Sequence, residues 1–223
     1  MRIDVFTLVP QAFAWMCEQR PVAAVLGSGL DLRILGYRQF SPLERGQVDD
    51  APYGGGAGMV LRVDVVDAAL QGVYGPRGAR RSGRRVIALA PGGRQLDQEL
   101  VEELAEEEEI ALLSARFEGF DARVLEHLVD EALSIGPYVL SGGEIPAMVV
   151  VDAIARRLPG SVSSSESVEF ESFAAGLQRR VEHPHYTRPA THRGWSVPGV
   201  LLSGDHARIA EWRRSHTLER SSG

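Results

Sequence analysis

Two hydrophobic periods alternate along the chain, one of continuous apolar runs and one of helical spacing. Ile3–Leu8 reads as a buried strand and Pro10–Glu18 as an apolar-periodic helix. Leu30–Tyr37 alternates as a second strand, and Ser41–Gly58 follows with little periodicity. Val63–Val73 reads as a helix and Pro76–Gly83 as a Gly/Arg turn. Arg85–Ala90 is a continuous apolar strand that is expected to stop at Pro91-Gly92-Gly93, with a helix over Gln95–Glu108. Ile110–Ser114 is another all-apolar strand. Asp121 caps a helix over Ala122–Val129, and Ala132–Ile135 is a short strand that turns at Gly136-Pro137. The loop Tyr138–Gly143 leads into a helix over Glu144–Leu158. Strands apolar throughout, alternating with helices, predict an α/β fold with a buried parallel sheet and helices on both faces.

The pattern changes after Pro159-Gly160. Ser161–Ser167 is Ser-rich and reads as a linker. Beyond it a small helical unit is expected: a helix near Phe173–Val181, a turn-rich His183–Pro198, and a last helix from Ser203-Gly204-Asp205 through Ile209 and Trp212. The predicted organisation is a domain over 1–160, a linker over 161–175 and a small domain over 176–223. No internal repeat is seen.

Composition narrows the function classes. The chain is 44% hydrophobic and 24% charged over 223 residues, enough to bury a core. One cysteine, Cys17, excludes an internal disulfide framework and a Cys-rich zinc site. No apolar run reaches the ~18 residues a membrane span needs. The N-terminus lacks a signal peptide's apolar stretch, so a soluble cytoplasmic protein is expected. The net charge of −6 argues against a nucleic-acid partner until its distribution is read. Residues 1–175 hold 16 Arg against 26 Asp and Glu, whereas residues 176–223 hold 8 Arg against 4, with five of the six His. A basic tail on an acidic body suits a polyanion arm, or an ordinary solvated face.

Three predicted strand ends run into loops rich in Gly or Pro: Pro91-Gly92-Gly93, Ala115–Gly119 and Gly136–Gly143. In open α/β sheets ligands bind outside the carboxyl ends of the strands, where glycine lets backbone approach them closely. None of the three is a dinucleotide fingerprint or a Walker loop. Tyr53–Met59, with its four glycines, is either a backbone anion nest or a plain loop. Ser203, Asp205 and His206 are too close in sequence for a catalytic triad and read as a helix N-cap. His183, His185 and His192 lack the spacing of a metal site.

Five segments, in this order and spacing, resemble the bacterial tRNA (guanine-N1)-methyltransferase family: Val48–Met59, Ala115–Asp121, Ser134–Glu144, Pro184–Pro189 and Leu201–His206. The resemblance implies a methyltransferase of the SPOUT class, whose parallel sheet carries a deep trefoil knot, with a small helical C-terminal domain that binds tRNA. It also implies a homodimer and S-adenosylmethionine as cofactor. No protein metal site, membrane or further protein partner is expected, and a need for Mg2+ in activity stays open. The implied reaction is methyl transfer to N1 of the guanosine just 3′ of the anticodon. A relative acting on another RNA, or a catalytically weak RNA-binding relative, is the alternative.

Carried over residue by residue, the resemblance places the cofactor against Leu89, Pro91 and Gly93, then Ala115, Phe117 and Glu118. The third loop adds Ile135, Gly136, Pro137, Tyr138, Val139, Leu140, Gly142 and Gly143, with Pro146 beyond it. Substrate contacts fall on Asp50, Gly58, His185, Tyr186 and Arg188. The catalytic pair is Glu171, as general base toward the N1 proton, and Arg156, as the cation that stabilises charge on O6. Glu169 is the competing candidate for the base. Glu171 stands where the family usually has Asp, Ala115 where it has Gly and Pro137 where it has Asp.

Overall fold

The computed structural model describes residues 1–76, 83–162 and 171–218. The parts of the expected Gly/Arg turn over 77–82 and of the expected linker over 163–170, including Glu169, lie outside the described residues. The chain divides into two compact units, Met1–Val162 and Ser163–Gly223.

The first unit is built on five parallel strands: β1 (Arg2–Thr7), β2 (Asp31–Gly36), β5 (Arg84–Gln95), β6 (Glu109–Ser114) and β7 (Glu131–Ser134), in the order β2-β1-β6-β5-β7. Parallel register runs from Arg2↔Asp31 to Thr7↔Gly36 on one side of β1 and from Arg2↔Glu109 on the other. Side chains alternate across a strand, so each apolar run feeds two cores. Ile3, Val5, Ile87, Ile110 and Leu112 enter one core, under α1 (Ala14–Glu18), α2 (Val22–Val25), α4 (Gln98–Ala105) and α6 (Glu144–Arg157). Phe6, Val86, Ala111 and Leu113 enter the other, under α3 (Val63–Tyr74) and α5 (Ala122–His127). The predicted α/β sheet with helices on both faces is therefore observed. No helix among the described residues is long and apolar enough to cross a membrane.

Local chemistry sets the helix starts. Asp97 and Asp121 accept the Leu100 and Arg123 amides at 2.9 and 3.0 Å, giving α4 and α5 their N-caps. The Pro10–Glu18 segment is a 3-10 turn over Pro10–Phe13 that continues into α1. The expected stop at Pro91 is not found. Strand β5 re-pairs beyond its Gly/Pro bulge, with Arg94↔Leu133 and Gln95↔Ser134, so α4 begins only at Gln98. Gly93 permits this: a Cβ there would lie 2.5 Å from the Ala132 carbonyl oxygen. Within the unpatterned 41–58 stretch, β3 (Asp49–Asp50) pairs with β4 (Val60–Leu61) across the glycine loop.

In the second unit the helix expected over Phe173–Val181 is absent. One 3-10 turn, Ala175–Leu177, stands there, because Phe173, Gln178 and Arg179 have positive φ and break helical continuity. Val181 instead exchanges backbone hydrogen bonds with Leu218, both 2.9 Å. A short hairpin, β8 (Thr191–His192) with β9 (Trp195–Ser196), precedes α7 (Gly199–Leu202) and α8 (His206–Ser215). Asp205 caps α8 through the Arg208 amide at 3.1 Å, as the N-cap reading of Ser203–His206 expects.

Candidate active site

The Leu89–Pro91 stretch of β5, at its bulge, and the loops after β6 and β7 converge on one cleft of about 310 Å³. Of the residues expected against a cofactor, all but Gly93 and Pro137 line it. Leu89 and Pro91 come from β5, Ala115, Phe117 and Glu118 from the β6 loop, and the remainder from Ile135–Gly143 and Pro146. Gly93 serves the sheet instead, against the β7 backbone. Arg116, Gly119 and Ser141, inside the candidate ligand loops, line the cleft as well, and so do Ala90, Phe120, Leu125, Leu133 and Ser134, which lie outside those loops. Most are neighbours of residues already in the three loops. Leu125 comes from α5, and no pattern in its own helix marks it.

Backbone bonds hold the loops together. The Gly143 amide donates to the Ala115 carbonyl at 2.7 Å, and the Ser114 hydroxyl donates to the Gly143 carbonyl at 3.1 Å. A Cβ on Gly143 would lie 2.8 Å from Ser114 Cα, so the close approach requires glycine. Phe117 holds φ +63, a strained conformation for an aromatic residue, in the loop that faces the cleft. Ser134 donates to the Gly136 carbonyl at 3.0 Å and Tyr138 to the Ile135 carbonyl at 3.2 Å, which folds the third loop over the strand end.

Asp50 lies in a second groove of about 890 Å³, with Tyr53, Arg62, Asp64, Asp121 and Arg123. Arg62 donates to Asp50 at 2.9 Å and, through two nitrogens, to Asp64 at 3.0 and 2.8 Å. Its hydrogen bond holds the Asp64 carboxyl below the usual range, and Arg123 does the same to Asp121. The Tyr53 ring is fully exposed. Phe120 lines both depressions, so they adjoin. Gly58 does not line the groove and instead meets the Glu118 side chain.

Arg156 sits half-buried in the last turn of α6 and does not line the cleft. One turn earlier, burial raises the Asp152 carboxyl, and the charge of Arg156 works against that rise. Glu171 is half-buried in the second unit, where its carbonyl accepts the Ala174 amide at 3.1 Å. In the same unit His185 bonds Glu182 at 2.8 Å and packs against His183, ring centroids 4.6 Å apart. Tyr186 meets Trp212 edge-on at 6.2 Å, Trp212 stacks on His216 at 4.2 Å, and Arg188 is exposed. Among the described residues no three His, Cys, Asp or Glu side chains are grouped to hold a metal ion.

Comparison with known proteins points to one family. The chain is 44% identical over 226 residues to a tRNA (guanine-N(1)-)-methyltransferase of Brevibacillus brevis, covering 99% of this chain and 88% of the relative. A Geobacter metallireducens protein of the same name is 44% identical over 98% of this chain and 87% of its own length. A Listeria welshimeri protein, also so named, is 40% identical over 99% and 89%. The family model for tRNA (guanine-1)-methyltransferase TrmD matches residues 1–223, and the chain belongs to that family.

Proposed function

We propose that this protein transfers a methyl group from S-adenosylmethionine to N1 of the guanosine just 3′ of the anticodon, position 37, in tRNA. The observation that carries this is the cleft between the bulge of β5 and the carboxyl ends of β6 and β7, in a chain of the tRNA (guanine-1)-methyltransferase family. Its volume is near the lower end of small-molecule sites, about 300–1,000 Å³. Leu89, Tyr138, Leu140 and Pro146 offer apolar surface to an adenosine, and the exposed Glu118 carboxylate offers charge to a cationic amino-acid end. The donor set fits the cofactor. When bound, S-adenosylmethionine supplies a methyl group on a sulfonium, already an active electrophile.

The protein's own task is to make N1 nucleophilic, since that nitrogen carries a proton at neutral pH. Glu171 is assigned as the general base that accepts it. Negative charge then spreads onto O6, where the Arg156 guanidinium donates hydrogen bonds and lowers the barrier. Asp50 and Gly58 of the first unit, and His185, Tyr186 and Arg188 of the second, are assigned to the tRNA. The basic balance of residues 176–223 supports that role.

The active enzyme is read as a homodimer in which the cleft of one copy works with the Glu171 of its partner. Ile145 and Val149, one turn apart on α6, are 56% and 40% exposed, and Trp15 is 68% exposed, apolar surface suited to a second copy. A trefoil knot is likewise part of the reading. Residues 136–143 return from edge strand β7 to the end of β6, although β5 lies between them in the sheet, and Arg94 and Gln95 of β5 pair back onto β7 beyond its bulge. A tRNA substrate agrees with a cytoplasmic location. Mapping methylation on unmodified tRNA transcripts tests the function. Methyl on N1 at position 37 is expected; methyl elsewhere, or on another RNA only, overturns the assignment, and none at all leaves a binding protein.

A further inference from the structure

Among the described residues Asp4 and Glu144 are the buried acids, and the chemistry above uses neither. Glu144 is the first residue of α6, preceded by an N-cap glycine with no side chain to offer. Its carboxylate meets the positive end of a 14-residue helix. A buried carboxylate is costly unless hydrogen-bonded, and both oxygens of this one are engaged. Thr7, at the end of β1, donates its hydroxyl to Oε1 at 2.9 Å. That hydroxyl accepts the Val9 amide at 3.0 Å, so its direction is set. Arg116 donates Nη1 to Oε2 at 3.4 Å. The Tyr37 hydroxyl, fully buried, is held neutral by burial and then by the charge of Glu144.

The two ends of the ion pair differ in exposure. The Glu144 side chain is 6% exposed and stands outside the cleft, whereas Arg116 is 37% exposed and lines it. A Cβ on Gly142 would lie 2.9 Å from Arg116 Cγ, so the stem of the arginine is confined on that side as well. A guanidinium held at one nitrogen by a buried carboxylate presents the rest of its planar fork to a ligand. The fork suits an oxyanion.

We propose that Glu144 is a positioning residue that aims the Arg116 guanidinium into the cleft, where it binds an oxyanion of the ligand. This rests on the methyl-transfer reading, which offers two such groups: the carboxylate of the cofactor's amino-acid end and a tRNA phosphate. Glu144→Gln keeps an acceptor for Thr7 and removes the charge that holds Arg116. Arg116→Ala removes the fork.

The experiment measures S-adenosylhomocysteine affinity by calorimetry and kcat and KM for a tRNA transcript. It uses the wild type, Glu144→Gln, Arg116→Ala and the double variant, with thermal midpoints as a check on folding. Each single variant is expected to lose on the order of tenfold in one affinity, the size of one charge-assisted hydrogen bond. The double variant should lose no more than Arg116→Ala alone, because both remove one device. Loss of S-adenosylhomocysteine affinity assigns the cofactor carboxylate as the oxyanion. A raised KM for tRNA with that affinity intact assigns a phosphate. Unchanged affinities in Glu144→Gln, or losses that add in the double variant, overturn the positioning role. A lowered thermal midpoint with affinities intact marks Glu144 as structural only, and also overturns it. A wild type that neither binds S-adenosylhomocysteine nor methylates tRNA overturns the methyl-transfer reading itself.

Discussion

Gly58 and Glu118 pack so closely that a Cβ on Gly58 would lie 2.6 Å from Glu118 Cγ. The Glu118 amide also donates to the Met59 carbonyl at 2.9 Å, which ties the glycine loop between β3 and β4 to the cleft. Gly58 holds φ +83, a conformation that an L side chain enters at a cost of about 1–2 kcal/mol. Gly58→Ala should therefore lower the thermal midpoint by about 2–8 °C. It should also displace Glu118 and weaken S-adenosylhomocysteine several-fold, read by calorimetry. An alanine variant with wild-type affinity would show that Glu118 does not contact the cofactor.

Gly93→Ala places its Cβ against backbone rather than a yielding side chain, 2.5 Å from the Ala132 carbonyl oxygen. Overpacking of this kind costs about 1–3 kcal/mol. The urea midpoint should fall with the m-value unchanged, and in the fraction still folded cofactor affinity should stay near wild type. Gly93 lies outside the cleft lining.

Acid should loosen the second unit through His183. Burial, and then the charges of His185, Arg213 and His216, push its imidazole below the ordinary value of about 6.5. A base whose folded pKa is depressed binds more protons unfolded than folded between the two values, so stability rises with pH there. The contribution is complete above about 6.5 and is lost as pH falls toward the folded value. Trp212 lies edge-on to the His183 ring, centroids 6.1 Å apart, and reports the change. Its fluorescence, read with Trp15 and Trp195 replaced by Phe, should show a midpoint that falls from pH 7 to pH 5. His183→Asn should flatten that slope.

Glu171→Gln and Glu171→Ala should abolish single-turnover methyl transfer while leaving S-adenosylhomocysteine affinity unchanged. Glu171→Asp should retain activity. The Glu carboxylate reaches one methylene further than Asp, about 1.5 Å, and a misplacement near 1 Å can cost roughly 100-fold. Aspartate at this position could therefore exceed the wild-type rate. If Glu171→Ala keeps wild-type rates and Glu169→Ala loses them, the base is Glu169.

Light scattering should give twice the chain's 24.3 kDa at micromolar concentration. Ile145→Arg on the exposed face of α6 should halve that mass. A wild-type monomer would remove the shared active site from the reading.

Period and punctuation in the sequence were enough to place the sheet, both helix layers and the capped starts of α5 and α8. Apolar runs such as Ile110–Ser114 can hide every side chain only between two layers, and aspartates before helices satisfy amides locally. The glycine-rich loops after β6 and β7 were legible too, as candidate ligand loops. Residues 173–181 were not, because the left-handed turns at Phe173, Gln178 and Arg179 carry no sequence signal that separates them from a helix.

Tertiary structure alone decided the rest. Pro91-Gly92-Gly93 looks like a strand end until β7 lies alongside, and then backbone pairing available only across the sheet carries β5 on to Gln95. Asp49–Asp50 and Val60–Leu61 are too short to declare themselves and exist as strands because they pair with each other. Glu144 reads as an ordinary first-turn acid. Its burial, and its bonds to Thr7 and Arg116, arise from residues 137 and 28 positions away that the parallel sheet brings to one edge. Local propensity is written in neighbours along the chain, whereas such contacts depend on the order in which the strands assemble.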